Sequence, residues 1–477
     1  MDNEKTTVTQ TTRSWLGIPY ATAQRFRSPI LLPFNPNLPY DKKGVAPLQA
    51  GNTSWLEADS GFSEDCLNLN VWAPENINEK PLPVVVYIYG GGWMSGANSQ
   101  TVSNASGLAA TGRVIGVSIN YRLGAFGALS LSQYGGALAE ATNLCLQDMI
   151  TALKWVQANI AHFGGDPNNV TITGHSAGAF SALALLAAPS AYGLFHRIAA
   201  FSGMPSRQVP AWSAEECAIE VLTALGILDN PEELLQIEAS LLAETMNNTI
   251  YTDPGVGHGV DNNCVATVDD KNQPNGVLID HPMSVLQSGR HKDIDIMFSS
   301  TTYETGYWVL YKTEDFDPKS IDNLVKEFAY RNRIPRSRAK KIIDAYNVDG
   351  RTPVEIRGLL LTDYSFTLPQ ARGALAHAAA GGKAYLLCIG PVEGVPAVHG
   401  TEMYGIVGQQ APDASDEQIV RDNFVRDALL DFATGNHSQL WDPVSTELIS
   451  QGIGNPPYDP TVHAQEVLQI FEGVERP

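Results

Sequence analysis

The stretch VTITGHSAGAFSALALLAAP, residues 170–189, decides the fold prediction. It begins with a β-branched run typical of a buried strand and ends with an apolar helical pattern that stops at Pro189. Between them lies a Gly-x-Ser-x-Gly pattern centred on Ser176. The pattern alone is too short to indicate a nucleophile, but a strand that turns sharply into a helix lifts the serine hydroxyl above the sheet. This context predicts a nucleophilic Ser176 rather than a serine that only serves a turn.

Similar apolar runs recur along the chain and alternate with helical patterns. They occupy residues 84–89, 114–120, 170–174, 197–202, 293–300 and 384–390. Each run is almost continuously apolar, as expected for parallel strands covered on both faces. Residues 144–164 have helical spacing and end at a pair of glycines. The alternation predicts an α/β fold with a mostly parallel central sheet covered by helices.

Two stretches, residues 205–292 and 310–380, fit this alternation less well because they are richer in helical patterns and loops. We expect a single domain over residues 1–477 in which these stretches are cap-like insertions. A cap at the carboxyl edge of the sheet would cover the position where open α/β sheets bind ligands.

Composition excludes several classes of function. The formal net charge of −20 argues against nucleic acid and anionic membrane surfaces as partners. The first residues lack the apolar core of a signal peptide, and no apolar run is long enough to span a bilayer. The five cysteines form neither a CxxC pair nor a dense framework, so neither a zinc site nor a disulfide scaffold is indicated. We expect a cytoplasmic protein without cofactor or metal, and the sequence leaves the oligomeric state open.

A nucleophilic serine needs a base, and this fold places the acid and then the histidine after the serine along the chain. Of four late histidines, only His399 lies in a loop that directly follows a predicted strand, 384–390. The others lie in a helix, near a helix end or in the C-terminal tail, at His377, His437 and His463. His399 is therefore the predicted base.

The predicted acid is Glu304, in the loop that leaves the strand 293–300. Asp293 and Asp295 lie at the start of that strand and so at the opposite edge of the sheet. Glu304 lies at the same edge as the predicted nucleophile and base.

Backbone donors for an oxyanion are indicated by the three glycines in YIYGGGWMSG, residues 87–96. They follow a predicted central strand at a point where side chains would block a substrate. The N–H groups of Gly91, Gly92 and Ala177 would form the oxyanion hole. No Lys-Ser/Thr follows the glycines, so a phosphate-binding loop is not indicated.

With these parts in order, the chain resembles the type-B carboxylesterase and lipase family of the α/β-hydrolase fold, in its intracellular, fungal-type members. The resemblance runs nearly end to end, through LGIPYA (16–21), SEDCLNLNVW (63–72), NYRLGAFG (120–127), NIAHFGGDPNNVTITGHSAG (159–178) and HGTEM (399–403). It implies the same triad and oxyanion donors, and it implies structural ion pairs for Arg25 with Glu64 and for Arg122 with Asp148.

The chain also departs from that family. Cys66 stands where the family has a disulfide cysteine, but the next cysteine is Cys145, so we expect no such disulfide. His175 precedes the nucleophile where the family usually has glutamate. It either bonds to neighbouring polar groups or, by removing that anion, admits substrates that carry a carboxylate. Trp93 and Tyr89 flank the glycine loop. They either line the acyl pocket or only pack against neighbouring side chains.

These observations predict a serine carboxylesterase that hydrolyses small-molecule carboxylic esters through an acyl-enzyme on Ser176. An acyltransferase or cyclase of a biosynthetic pathway with the same triad is the main alternative. A non-catalytic binding protein is a poorer alternative, since family members with that role typically lose the serine.

Overall fold

The computed structural model describes residues 11–76, 80–206, 208–250, 267–273, 275–311, 313–348 and 350–475. Nine strands in these ranges form one central sheet with the order β1-β2-β4-β3-β5-β6-β7-β8-β9. The strands are β1 (Thr12–Pro19), β2 (Asn68–Pro74), β3 (Leu82–Ile88), β4 (Ile115–Ile119), β5 (Gly165–His175), β6 (Arg197–Phe201), β7 (Asp295–Thr301), β8 (Ala384–Ile389) and β9 (Ser450–Ile453).

Strands β3 to β9 all pair in parallel, whereas β2 is antiparallel to both β1 and β4. This confirms the predicted α/β class and the mostly parallel sheet. All six predicted strands are present, and β1, β2 and β9 were not predicted as strands.

Twelve helices of six or more residues lie in the described ranges. They are α1 (Leu144–Asn159), α2 (Ala177–Ala184), α3 (Ala211–Leu225), α4 (Ala239–Thr249), α5 (Pro282–Ser288), α6 (Gly306–Tyr311), α7 (Ile321–Asn332), α8 (Arg336–Asp344), α9 (Pro353–Thr362), α10 (Leu368–Ala379), α11 (Asp416–Ala433) and α12 (Pro460–Ile470). A π-helical turn, Asp363–Thr367, joins α9 to α10. None of the helices in these ranges is both long and apolar enough to cross a bilayer.

The main hydrophobic core lies on both faces of the sheet. Helix α1 contributes Met149, Leu153 and Trp155, which are fully buried, as its apolar spacing predicted. Helix α2 is buried along its whole length because it covers the middle of the sheet, and this explains its almost entirely apolar sequence.

The two stretches predicted as caps differ in how they pack. In the first, α3 and α4 join the main core through Val221, Leu222 and Leu242, while residues 251–266 lie outside the described ranges. In the second, α7, α8 and α9 form a separate apolar cluster with α12. Helix α10 belongs to the same predicted stretch but packs on the sheet, with Ala371 in the main core.

Candidate active site

The predicted site residues follow four of the five consecutive strands β3-β5-β6-β7-β8 of the sheet. The glycine loop follows β3, Ser176 follows β5, Glu304 lies in the loop after β7, and His399 lies in the loop after β8. Because these strands are parallel, their carboxyl ends meet at one edge. Residues up to 309 positions apart in the sequence, from Gly90 to His399, therefore converge.

The turn that carries Ser176 is sharp and strained. Ser176 has φ of 54° and ψ of −126°, a conformation that non-glycine residues adopt rarely, and α2 begins at the next residue. A Cβ atom at Gly178 would lie 2.0 Å from the carbonyl oxygen of Ile88. The glycine is required because the start of the helix approaches the backbone of β3 directly.

The structure brings the three predicted triad residues into hydrogen-bond contact. His399 Nε2 lies 2.8 Å from Ser176 Oγ, and His399 Nδ1 lies 2.7 Å from Glu304 Oε2. Glu304 is fully buried, Ser176 is 4% exposed, and the His399 side chain is 13% exposed. The nucleophile and base keep a small solvent exposure, whereas the acid has none.

Glu304 fixes the tautomer of His399. Its Oε1 atom accepts hydrogen bonds from the Thr301 N–H at 2.8 Å and from the Ser202 hydroxyl at 2.7 Å. An ionised carboxylate can only accept, so the Nδ1 atom of His399 must carry the proton that faces it. The Nε2 atom is then free to accept the hydroxyl hydrogen of Ser176.

The glycine loop lies directly against the nucleophile. A Cβ atom at Gly90 would lie 2.9 Å from Ser176 Cβ, so only glycine fits there. Gly91 and Gly92 have φ of 105° and 62°, in the region that favours glycine. Ala177 is the first residue of α2, where a backbone N–H has no partner within the helix.

Trp93 and Tyr89 are buried and belong to the main core. The indole of Trp93 donates to Ser181 Oγ at 2.9 Å, and the Tyr89 ring stacks on Tyr121 with centroids 4.6 Å apart. These contacts favour the packing alternative for both residues.

His175 is 4% exposed, and its ring lies 4.7 Å from the ring of His399. Burial, and then the neighbouring His399, lower the pKa of His175 well below its ordinary value. Its Nε2 atom lies 3.8 Å from Oε1 of Glu402, but a neutral imidazole makes no ion pair at that distance. The structure places His175 among protein side chains behind the nucleophile.

Sequence reasoning did not predict Ser202, Glu402 or the aromatic neighbours of His399. Trp308 on α6 and Phe366 in the π-helical turn both have ring centroids 5.7 Å from that of His399. Ser202 could have been found, because it is the last residue of the predicted strand 197–202 and so lies at the same edge as Glu304. The aromatic residues carry no such signal, since their approach depends on how α6 and the π-helical turn pack.

Two ion pairs implied by the family resemblance are present. Arg25 Nε lies 2.9 Å from Glu64, and Arg122 Nη2 lies 2.7 Å from the fully buried Asp148. Cys66 is a buried free thiol. Among the described residues, no group of three His, Cys, Asp or Glu side chains is arranged to hold a metal ion.

The sequence of the chain is similar to those of known esterases. The family model described as Carboxylesterase family matches residues 2–447. The chain is 36% identical to para-nitrobenzyl esterase of Bacillus subtilis (strain 168) over 329 residues, which cover 67% of this chain and 60% of that protein. It is 34% identical to cholinesterase of Mus musculus over 339 residues, which cover 67% of this chain and 54% of that protein. These matches span less than two thirds of either relative.

A solved structure of PNB esterase superimposes with a TM-score of 0.79 at 29% sequence identity. The superposition covers 96% of this chain and 96% of the other. The structural likeness therefore extends over nearly the whole chain, beyond the 67% covered by either aligned relative.

Proposed function

The chain belongs to the carboxylesterase family, and from this premise we propose that it hydrolyses small-molecule carboxylic esters through an acyl-enzyme on Ser176. One observation carries the proposal. The hydrogen bonds from Ser176 through His399 to the buried Glu304 are unbroken, at 2.8 and 2.7 Å.

Acylation begins when the Ser176 oxygen attacks the ester carbonyl and His399 Nε2 takes the hydroxyl proton. The imidazolium that forms is stabilised by Glu304, which holds the ring through Nδ1. Because Glu304 is already held by Thr301 and Ser202, it does not need to reorganise as the charge develops.

The carbonyl oxygen becomes an oxyanion in the tetrahedral intermediate. The N–H groups of Gly91, Gly92 and Ala177 are the donors we propose for it, at the start of α2 and in the loop beside it. Loss of one such donor typically costs about 3 kcal/mol of transition-state stabilisation.

Collapse of the intermediate expels the alcohol, which leaves with the proton from His399. Water then attacks the acyl-enzyme, with His399 as base, and releases the acid and free Ser176. Every proton is returned, so the cycle needs no cofactor.

Trp308 and Phe366 support a preference for esters with an apolar acyl or alcohol group. Both are buried aromatic residues beside His399, and they place apolar surface next to the reacting atoms. His175 is neutral where many family members have an anion, so we propose neutral esters, rather than choline esters, as substrates.

The proposal is tested with p-nitrophenyl esters of increasing chain length and a fluorophosphonate probe read by intact mass. Wild-type protein and the matched surface variant Ser190→Ala should hydrolyse the esters and take up one label, whereas Ser176→Ala should do neither. Labelling without hydrolysis would favour transfer of the acyl group to an acceptor other than water. Absence of both signals from folded wild-type protein would contradict the proposal.

A further inference from the structure

Ser202 connects the triad acid to a second buried carboxyl group. Its hydroxyl oxygen lies 2.7 Å from Glu304 Oε1 and 2.6 Å from Glu402 Oε1. A serine hydroxyl has one hydrogen, so it can donate to only one of these oxygens. The other short contact requires a carboxyl group that carries its own proton.

The contacts identify Glu402 as the protonated acid. Glu304 is satisfied as an anion, because Thr301, Ser202 and His399 all donate to it. Glu402 is fully buried, and its Oε2 atom has no hydrogen-bond partner among the described residues. Burial, and then the charge of Glu304, raise the pKa of Glu402 to about 7.

In the part of the chain that the structure describes, no cation of the resting protein compensates a charge on Glu402. The ionisable and polar groups that face it are Glu304 and His399 from neighbouring loops, Ser202 after β6, His175 at the end of β5 and Tyr87 on β3. His175 is kept neutral by burial, and burial together with Glu402 raises the pKa of Tyr87. An ionised Glu402 would therefore be a second anion beside Glu304, and no cation among the described residues would compensate its charge.

The backbone of Ser202 is also held in an unusual conformation. Its φ is 51°, in the left-handed region, and its N–H donates to the Ser299 carbonyl at 2.8 Å. Such a conformation is unfavourable for a residue other than glycine and persists where the surrounding structure enforces it. Here it aims the hydroxyl between the two carboxyl groups.

We propose that Glu402 is a positioning residue of the triad, which remains a neutral acid, donates its proton to Ser202 and thereby directs the Ser202 hydroxyl onto Glu304. The inference rests on the proposed esterase function. Glu402 donates to Ser202, and Ser202 donates to Glu304, which accepts. This arrangement keeps one negative charge in the buried site, on the carboxylate that faces His399. No proton is transferred along it during turnover.

The kinetics of two variants test the hydrogen bonds from Glu402 to Ser202 and from Ser202 to Glu304. Glutamine in Glu402→Gln still donates to Ser202, so kcat should stay within about threefold of wild type. Ser202→Ala removes the donor to Glu304, and kcat should fall about tenfold with KM unchanged. The proposal is overturned if Ser202→Ala keeps wild-type kcat, or if Glu402→Gln is as slow as Ser202→Ala.

Infrared spectroscopy tests the protonation state without turnover, so it decides the proposal even if no ester substrate is cleaved. At about pH 6, one unit below the pKa of Glu402, wild-type protein should show the carbonyl stretch of a buried neutral carboxylic acid. The band should disappear in Glu402→Gln and persist in Asp422→Asn, which removes another buried acid whose pKa is also raised by burial. A band that survives Glu402→Gln would overturn the proposal.

Discussion

Replacing the triad acid by its amide, Glu304→Gln, is the most informative change because the structure leaves glutamine no acceptable orientation. In one orientation its NH2 group faces His399 Nδ1, which must then accept, and the ring carries its proton on Nε2, facing Ser176. In the other orientation the NH2 group faces the Thr301 N–H across 2.8 Å, so two donors oppose each other in a fully buried site.

The size of the effect follows from these contacts. The first orientation removes the acceptor that Ser176 needs, and an amide at the acid position of such a triad lowers kcat about 10⁴-fold. This corresponds to about 5 kcal/mol of lost transition-state stabilisation. The second orientation keeps the tautomer but leaves a buried donor unsatisfied, which costs about 1 to 3 kcal/mol of folding free energy. We expect the first orientation to prevail and kcat to fall accordingly.

The assay compares kcat for a p-nitrophenyl ester with the unfolding midpoint of the same preparations. Glu393→Gln, an exposed glutamate in the loop between β8 and His399, is the matched control and should retain wild-type kcat. A Glu304→Gln protein that folds and loses less than about tenfold in kcat would refute the assignment of Glu304 as the group that orients the base.

Three further predictions concern other parts of the structure. Gly178→Ala places a methyl group 2.0 Å from the Ile88 carbonyl oxygen. In chemical denaturation this variant should lose about 2 kcal/mol or more of unfolding free energy. A loss below about 0.5 kcal/mol would contradict the close contact between the start of α2 and β3. Burial lowers the pKa of His463, but the hydrogen bond and the charge interaction with Asp363 outweigh burial and raise that pKa. The protonated His463 should therefore stabilise the folded protein below about pH 6, and this contribution should be lost as the pH rises above the ordinary histidine pKa. The difference in unfolding free energy between wild type and His463→Gln, followed against pH, measures it. His175→Glu adds a carboxylate behind the nucleophile and should lower turnover of anionic esters relative to neutral ones, an outcome that an unchanged ratio would contradict.

Much of the fold was predictable because its central strands are covered on both faces. The runs that correspond to β3 to β8 are nearly continuous in apolar residues. Strands covered on both faces require this pattern, and few other structures do. Strand β1 mixes exposed and half-buried residues with one buried residue, Ile18, and β9 has four half-buried residues, so neither carries that signal. Strand β2 is fully buried but contains two asparagines, Asn68 and Asn70, whose side chains bond to nearby backbone.

The triad positions were predictable because parallel strands bring their carboxyl ends to one edge, and this rule needs no side-chain packing. Ser202 obeys the same rule at the end of β6, but a serine without a sequence pattern was not distinguished from a turn residue. Glu402 lies three residues after His399, and its chemical state depends on burial that the sequence does not encode. The aromatic neighbours Trp308 and Phe366 depend likewise on tertiary packing.

A quenched-flow measurement with a p-nitrophenyl ester detects whether Ser176 forms a covalent acyl-enzyme. We expect a burst of p-nitrophenol approaching one equivalent per active site whenever deacylation is slower than acylation, with the acyl mass added to the peptide that contains Ser176. An acyl mass found on any other residue, or steady hydrolysis with no acyl mass on this peptide under any quench condition, would contradict it.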